Sequence, residues 1–599
     1  MRLKDKLNII LVFAGGCLCG CGDYGRLASD AADSPVRVAI AVGEGSPTRT
    51  SYNVENKQFE WNDGDVVAVW ARSSSGSYAL DGQPFSLMAA GANRSLAYFT
   101  STLPSPMDEG TYSYYVAYPL PESKDGTVAR FTVPAVQDGA ASDGVDIIVA
   151  DPVSGPALSP IEEASPISPA SSVSVRMKHL LHFLRFYIPE GKNYLGEPVT
   201  RIEFSMPRPS VGKVVVDVTD PASAALEEGS NAVVLDLAEP LDEYGSAVAG
   251  IFPPSVAYTS SDRMEATVYS ESKWAELNPV PLTGRTFSAG HLTPVPLRFT
   301  NVNTLFKLKF TLASNNLGED PQSIRLSLPK GTNWPGSASN VLEFTGKHDG
   351  AVLVGDTFVL ETKDGEAFKT LSSKELTVVY ESESAIVSQV LTIADLSSVS
   401  SAVCSLDCPY LFFEDFSEVE GISSYDGYSQ SNPGSRSPVS FLNGWSAARF
   451  GTEAGTSLRL ACRRETSADY PARADSPFLS GLKEGVAVGL DVSFDYSMDR
   501  DGYGFIVSVP EISQTVHIGY ITTPDNLKSG DDTGDFQDSF IVNETGGSYT
   551  NIGHSYSARL TNVKAPMRIS WRTTPEHKAG TSNNTCWLYI DNIKVKITK

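Results

Sequence analysis

Apolar residues along this chain recur in short runs with a period of two. Residues 36–42 (VRVAIAV), 65–69 (DVVAV), 213–218 (KVVVDV), 375–380 (ELTVVY) and 590–597 (IDNIKVKI) are rich in β-branched side chains. Gly, Pro, Asp, Asn or Ser clusters bound each run, as they bound strands. A 3.6-residue period is scarce, and only short segments such as 222–228 are expected to supply a turn or two of helix. The pattern predicts an all-β chain of tandem β-sandwich domains. Residues 154–172 (SGPALSPIEEASPISPASS) carry four prolines and no apolar face, so they read as an internal linker.

A repeat follows that linker. Residues 181–207 (LHFLRFYIPEGKNYLGEPVTRIEFSMP) and 305–329 (LFKLKFTLASNNLGEDPQSIRLSLP) both run an alternating strand, then Asn and Leu-Gly-Glu, then a second alternating strand ending in proline. Leu-x-x-Leu-x-Phe puts apolar side chains on one face and Arg185 or Lys309 on the other, and the shared Leu-Gly turn supplies positive-φ backbone for the reversal. Two copies of one module explain this pattern and place boundaries near residues 299 and 404.

At 599 residues the chain exceeds a single core, and about 150 residues per domain suggests roughly four domains. A hydrophobic share of 41% and an aromatic share of 10% support globular folding. The net charge of −24, from 47 Lys plus Arg against 71 Asp plus Glu, repels a phosphate backbone, so nucleic acid is excluded as a partner. Cys404 and Cys408 leave a disulfide open in an oxidising compartment, but with Cys462 and Cys586 they do not make a disulfide scaffold. The seven histidines are scattered, and His179-x-x-His182 lacks the His-Glu-x-x-His spacing of a zinc protease. No nucleophile elbow, Walker loop or dinucleotide fingerprint stands in a strand-turn-helix context, and no carboxylate pair can be nominated for glycoside hydrolysis. The sequence therefore reads as non-enzymatic, with no required cofactor.

The N-terminus carries Arg2, Lys4 and Lys6, an apolar run over 7–16 and a small-residue site at Leu18-Cys19-Gly20-Cys21. This layout resembles a bacterial lipoprotein signal over residues 1–21, which implies that Cys21 becomes the lipid-bearing N-terminus; Cys17 is the competing site. No other apolar run approaches the roughly 20 residues of a membrane-spanning helix.

Thr48-Arg49-Thr50 is followed in order by residues 59–69 (FEWNDGDVVAV), 114–119 (YYVAYP), 131–137 (FTVPAVQ) and 146–150 (DIIVA). In these motifs residues 36–153 resemble the N-terminal domain of fimbrillins, the pilin-like surface lipoproteins of Bacteroidota. Residues 177–183 (MKHLLHF) look like the start of the family's second domain, so the resemblance covers about 36–298. It implies fimbrillin or transthyretin-like sandwiches at 36–153 and 173–298, with 299–403 as a third module that departs from the two-domain plan. Segments 411–416 (LFFEDF), 443–445 (NGW), 476–479 (SPFL), 490–496 (LDVSFDY) and 587–593 (WLYIDNI) make 410–599 similar to a jelly-roll module of cleaved-adhesin or carbohydrate-binding type.

Such a sandwich pairs its first and last strands, so Glu414, Asp415 and Asp591 are expected to converge and to suit a calcium ion. The alternative is that Asp591 and Asn592 only shape the strand end. Tyr425, Tyr428, Tyr503 and Tyr520 lie in Gly-, Ser- and Asp-rich loops or near strand ends and are candidates to stack on a sugar, against ordinary packing.

The fimbrillin resemblance implies assembly by strand donation, with an N-terminal strand released by cleavage after an arginine, here Arg37 or Arg49. Residues 594–597 read as the last strand of the jelly roll, so the chain is expected to accept a strand without donating one. The expected role is a lipid-anchored outer-membrane adhesin at a pilus tip, anchor or accessory position, partnered by pilus subunits and by a host or bacterial glycan or protein. The alternative is a surface glycan-binding protein of a polysaccharide uptake system.

Overall fold

The structure is a computed structural model that describes residues 35–44, 51–53, 58–90, 97–140, 145–161, 173–346, 349–419, 421, 439–440, 442, 444–448, 450–453, 455–465, 468–470, 472–500, 512–522, 535–544, 554–576 and 585–598. The chain divides into two compact units, Met1–Ser270 with Ala275–Val302, and Glu271–Trp274 with Asn303–Lys599. Strand dominates both, as the period of two predicts. Among the described residues the only helix is Gly365–Lys369, opened by the Asp364 carboxylate accepting from the backbone N–H groups of Glu366 and Ala367. The helical turn expected at 222–228 is instead part of strand Asp220–Ser230. There, pairing of Leu226 with Val214 and of Ala225 with Val215 outweighs the helix propensity of Ala, Leu and Glu.

The first domain is a sheet that closes on itself. Its spatial order is Ile148–Ala150, Val173–His179, Val36–Glu44, Ala97–Leu103, Tyr78–Ala90, Val66–Ser73, Thr111–Tyr118 and Val153–Pro156, and Ile148–Ala150 also pairs with Thr111–Tyr118. The lumen is filled by Val38, Ile40, Val42, Trp61, Val67, Val69, Phe85, Phe99, Tyr114 and their neighbours. Trp61 is fully buried with its ring 5.0 Å from Phe99 and 5.5 Å from Tyr118. Asp65 behind it accepts from the Asn62 N–H and the Tyr118 hydroxyl, and Gly64 turns the chain at φ 100°. Two expected boundaries shift. Val173–His179 completes the first sheet by running parallel to Val36–Glu44, and the expected linker begins inside a strand, since Val153–Pro156 pairs with Thr111–Tyr118.

The second and third modules repeat one plan in the same chain order. In the second, His182–Tyr187 lies between antiparallel Ala247–Ile251 and parallel Leu292–Pro296, while Val199–Ser205 lies between Ala232–Leu241 and Arg263–Tyr269. In the third, Phe306–Asn315 lies between antiparallel Thr357–Thr362 and parallel Ser401–Cys408, while Ser323–Ser327 lies between Val341–Thr345 and Glu375–Glu381. The shared turn is built alike. Asn193 Oδ1 accepts from the Leu195 N–H and its amide donates to the Glu197 carbonyl, and Asn315 does the same with Leu317 and Glu319. The third module runs to Cys408, past the expected boundary, because its last strand is Ser401–Cys408.

The jelly roll has two sheets. One orders Phe450–Glu453, Ser457–Glu465, Thr585–Thr598, Ala487–Arg500 and His554–Lys564; the other orders Val439–Ser440, Ser446–Ala448, Arg473–Asp475, Arg568–Glu576, Ile512–Ile521 and Asp535–Glu544. Its core is continuous with that of the third module. The repeat turn of that module seats the last strand, with the Ile597 N–H donating to the Leu317 carbonyl at 2.7 Å.

Candidate functional site

The Val36–Glu44 strand is a stave of the closed first sheet. Val36 to Val42 pair antiparallel with Leu103 to Ala97 on one side, and Ile40 to Glu44 pair parallel with Val173 to Met177 on the other. Val38, Ile40 and Val42 are fully buried in the lumen, and Ala39 and Ala41 are buried on the opposite face. Such a strand is held by two ladders and by apolar surface on both faces, yet it enters and leaves through segments that lie outside the described residues. Arg37 sits within the stave, opposite Thr102, and its guanidinium donates to Thr100 Oγ1 at 3.3 Å. A protease needs a free extended backbone, so the bond after Arg37 is shielded while the strand is in place. Arg49 and Cys21 lie outside the described residues.

At the far end, Phe412–Glu414 pairs with the last strand, Glu414 opposite Ile593, and this brings Glu414, Asp415 and Asp591 into electrostatic range of one another, as the sequence suggests. Asp495 joins them opposite Asp591, and nothing in a separation of nearly a hundred residues announces it. Burial raises the Asp591 pKa, and Asp415, Asp495 and Glu414 add to the rise. Burial likewise raises that of Glu414, whereas hydrogen bonds from Ser417 lower that of Asp415. The three carboxylates already have protein donors. Glu414 already accepts from the Phe416 N–H at 2.9 Å and the Trp445 indole at 3.2 Å, and Asp591 accepts from the Asn592 N–H at 2.7 Å. Among the described residues no group of three or more His, Cys, Asp or Glu is placed to hold a metal ion. Phe416 at φ 51° and Asn592 at φ 49° turn the backbone sharply beside them.

Tyr425, Tyr428 and Tyr503 lie outside the described residues. Tyr520 lies near a strand end, half-buried as the penultimate residue of Ile512–Ile521, between Asp535 and Ile569. The two paired histidines serve separate partners. His179 Nδ1 lies 2.6 Å from buried Asp146, while His182 meets the Ser288 carbonyl and Thr293 Oγ1 at 2.9 and 3.0 Å, and burial lowers its pKa. Cys404 and Cys408 are free thiols. Four residues apart in one extended strand, their Cα atoms stand about 13 Å apart, beyond disulfide reach. Among the described residues no helix is long and apolar enough to cross a membrane.

No family model matches the sequence, and no curated protein matches it. Solved structures that match in part include a candidate cell adhesion protein from Bacteroides uniformis, at 16% identity and TM-score 0.30 over 45% of this chain and 95% of that one. A fimbrial protein from Bacteroides ovatus matches at 10% identity and TM-score 0.24, over 44% of this chain and 49% of that one. The fimbrial anchor protein Mfa2 from Porphyromonas gingivalis matches at 12% identity and TM-score 0.20, over 41% and 82%. The chain itself is an all-β protein of tandem sandwich modules.

Proposed function

We propose that this chain is a surface adhesin of fimbrillin type, carried to the cell surface by an acylated Cys21, that takes a terminal or accessory place in a pilus by accepting a strand from a neighbouring subunit once cleavage frees it from the lipid-bearing segment. The observation that carries the reading is the Val36–Glu44 stave, paired on both edges and apolar on both faces. Its release exposes the edges of Ala97–Leu103 and Val173–His179 together with the slot that Val38, Ile40 and Val42 occupy. Unpaired edges and bare apolar surface are answered by a strand of the same pattern. Cleavage after Arg49 leaves the stave whole and cuts its covalent tie, so that site suits the role better than Arg37. The Thr585–Thr598 strand is an inner strand between Ser457–Glu465 and Ala487–Arg500, so donating it would dismantle its own sheet. On this reading the jelly roll meets the ligand, and the sandwich modules assemble and extend it.

Immuno-electron microscopy of whole cells, with antibody to the jelly roll, tests the reading. Label at the tips or bases of appendages is expected. Uniform shaft label, or label confined to the cell body, contradicts it.

A further inference from the structure

The jelly-roll sheet that contains the Thr585–Thr598 strand turns Leu490, Val492, Ala558, Val595 and Ile597 into the core. Side chains alternate along a strand, so the residues between them share the opposite face. On that face Phe413, Lys594, Ser493 and Ser557 stand directly opposite one another across four strands. Lys596, Asp491 and Arg559 form the next row. Four strands about 4.8 Å apart make a platform about 14 Å wide. All of it is open to solvent: Phe413, Ser557 and Arg559 are exposed, and Lys594, Ser493, Lys596 and Asp491 are half-buried.

Phe412 and Phe413 divide the work of the short first strand. Phe412 packs against the core, 6.1 Å from the Trp445 ring, whereas Phe413 points outward and is 49% exposed. A single exposed ring is ordinary, but this one has a companion. The Tyr410 ring lies 6.0 Å away with the two planes 24° apart, and Lys596 Nζ lies 5.3 Å from the centre of the Tyr410 ring. Tyr410 is thus held between an ammonium and a second ring, and Phe413 offers an accessible aromatic surface beside it. Next to Phe413 the Lys594 ammonium meets no acceptor among the described residues. Further across, Ser557 Oγ donates to Asp491, and Ser555 Oγ donates to Asp495 at 2.6 Å. A carboxylate has about four acceptor sites, so Asp491 and Asp495 keep capacity for further donors.

The pattern separates the classes of partner. Lys594, Lys596 and Arg559 stand against Asp491 and Asp495, with the carboxylates of the Glu414 corner beyond them, so the face has no surplus of either sign to draw a polyion. A stable protein interface needs about 800 Å² from each partner around an apolar centre, and on these rows two rings are the whole apolar content. A sugar ring asks for less: an aromatic surface for its C–H face, and donors and acceptors within reach for its hydroxyls. Phe413 supplies the first; Lys594, Ser493 and Asp491 supply the second. We propose that the Phe413 and Lys594 rows bind a neutral glycan, with one sugar ring stacked on Phe413 and its hydroxyls met by Lys594 and Asp491. This rests on the adhesive reading of the jelly roll given above.

The test is affinity electrophoresis of the full chain through gels that contain galactan, mannan, β-glucan or, as the charged control, polygalacturonate, at two salt concentrations. At least one neutral polymer is expected to retard the chain at least tenfold more strongly than polygalacturonate does, and the retardation is expected to survive the higher salt, since no net charge drives it. Phe413→Ala is expected to weaken the retardation at least tenfold with an unchanged melting temperature, because the side chain is exposed. Lys594→Met, which keeps the stem and removes the ammonium, is expected to weaken it at least threefold and serves if Phe413→Ala lowers the melting temperature. Failure of all three neutral polymers to retard the chain, retardation by polygalacturonate alone, loss of retardation at the higher salt, or unaltered retardation in both variants overturns the inference. A chain that ignores neutral glycans yet labels appendage ends in the microscope loses this inference alone; one that fails both loses the adhesin reading too.

Discussion

Replacing Ile40 by alanine isolates what the Val36–Glu44 stave contributes to the first domain. Ile40 is fully buried in the lumen, opposite Phe99 on one neighbour and Val173 on the other. The change removes three carbons at about 0.8 kcal/mol each, and the cavity left in a packed lumen raises the loss to about 3–4 kcal/mol. Native-state hydrogen exchange reads this domain by domain, which a single melting curve of a two-unit chain does not. Protection of amides in Ala97–Leu103 and Val173–His179 is expected to fall by two to three orders of magnitude, since about 1.4 kcal/mol is a factor of ten. Amides in Phe306–Asn315, in the other unit, serve as the control and are expected to hold. A loss below about 1 kcal/mol in those neighbours, or an equal loss in both units, would show that the stave does not organise the first domain.

Three other perturbations probe the second unit. Gly318→Ala places a Cβ 2.2 Å from the Ile597 carbonyl oxygen at φ 90°, so thermal melting of the second unit is expected to drop by more than about 2 kcal/mol, and an unchanged melt refutes the docking of the last strand on the repeat turn. Cys462 and Cys586 occupy directly opposite register positions on neighbouring antiparallel strands, a backbone spacing of about 4.5–5.5 Å that falls within disulfide range, so non-reducing peptide maps of chain refolded in a glutathione redox buffer are expected to contain the linked peptide. Recovery of both as free thiols contradicts that. Glu414 and Asp591 have raised folded-state pKa values, so the stability they contribute is complete below their unfolded pKa near 4 and is lost as pH rises through the folded values. Denaturation of the jelly roll from pH 4 to 7 is expected to show stability falling, and Asp495→Asn, which removes a neighbouring charge, to flatten the fall; a slope that Asp495→Asn leaves unchanged refutes the coupling.

Alternation of apolar residues made the class legible, and the Leu-Gly-Glu turn made the repeat legible, because both are local patterns that backbone geometry converts directly into strands and reversals. The Trp61 to Val69 segment was readable for the same reason: indole, turn and strand are consecutive. Pairing partners far apart in sequence were not readable. Nothing near Val173–His179 says that it closes the first sheet instead of opening the second module, since parallel pairing with Val36–Glu44 has no turn chemistry to mark it. Ala222 to Glu228 misled because strong helix formers were overruled by a cross-strand ladder. First-to-last strand pairing brings Glu414, Asp415 and Asp591 into electrostatic range, while the hydrogen bonds that Glu414 and Asp591 accept from Phe416, Trp445 and Asn592 depend on a corner geometry that spacing does not encode.

The claim on which the functional reading stands is that the Val36–Glu44 stave can be exchanged for another strand. Its most direct test is native mass spectrometry of the chain cut after Arg49 and incubated with an excess of isotope-labelled peptide VRVAIAVGE. The account predicts that the labelled peptide replaces the native stave in the cut chain and fails to enter the uncut chain. A cut chain that never takes up the peptide, or one that unfolds on cleavage, would contradict it.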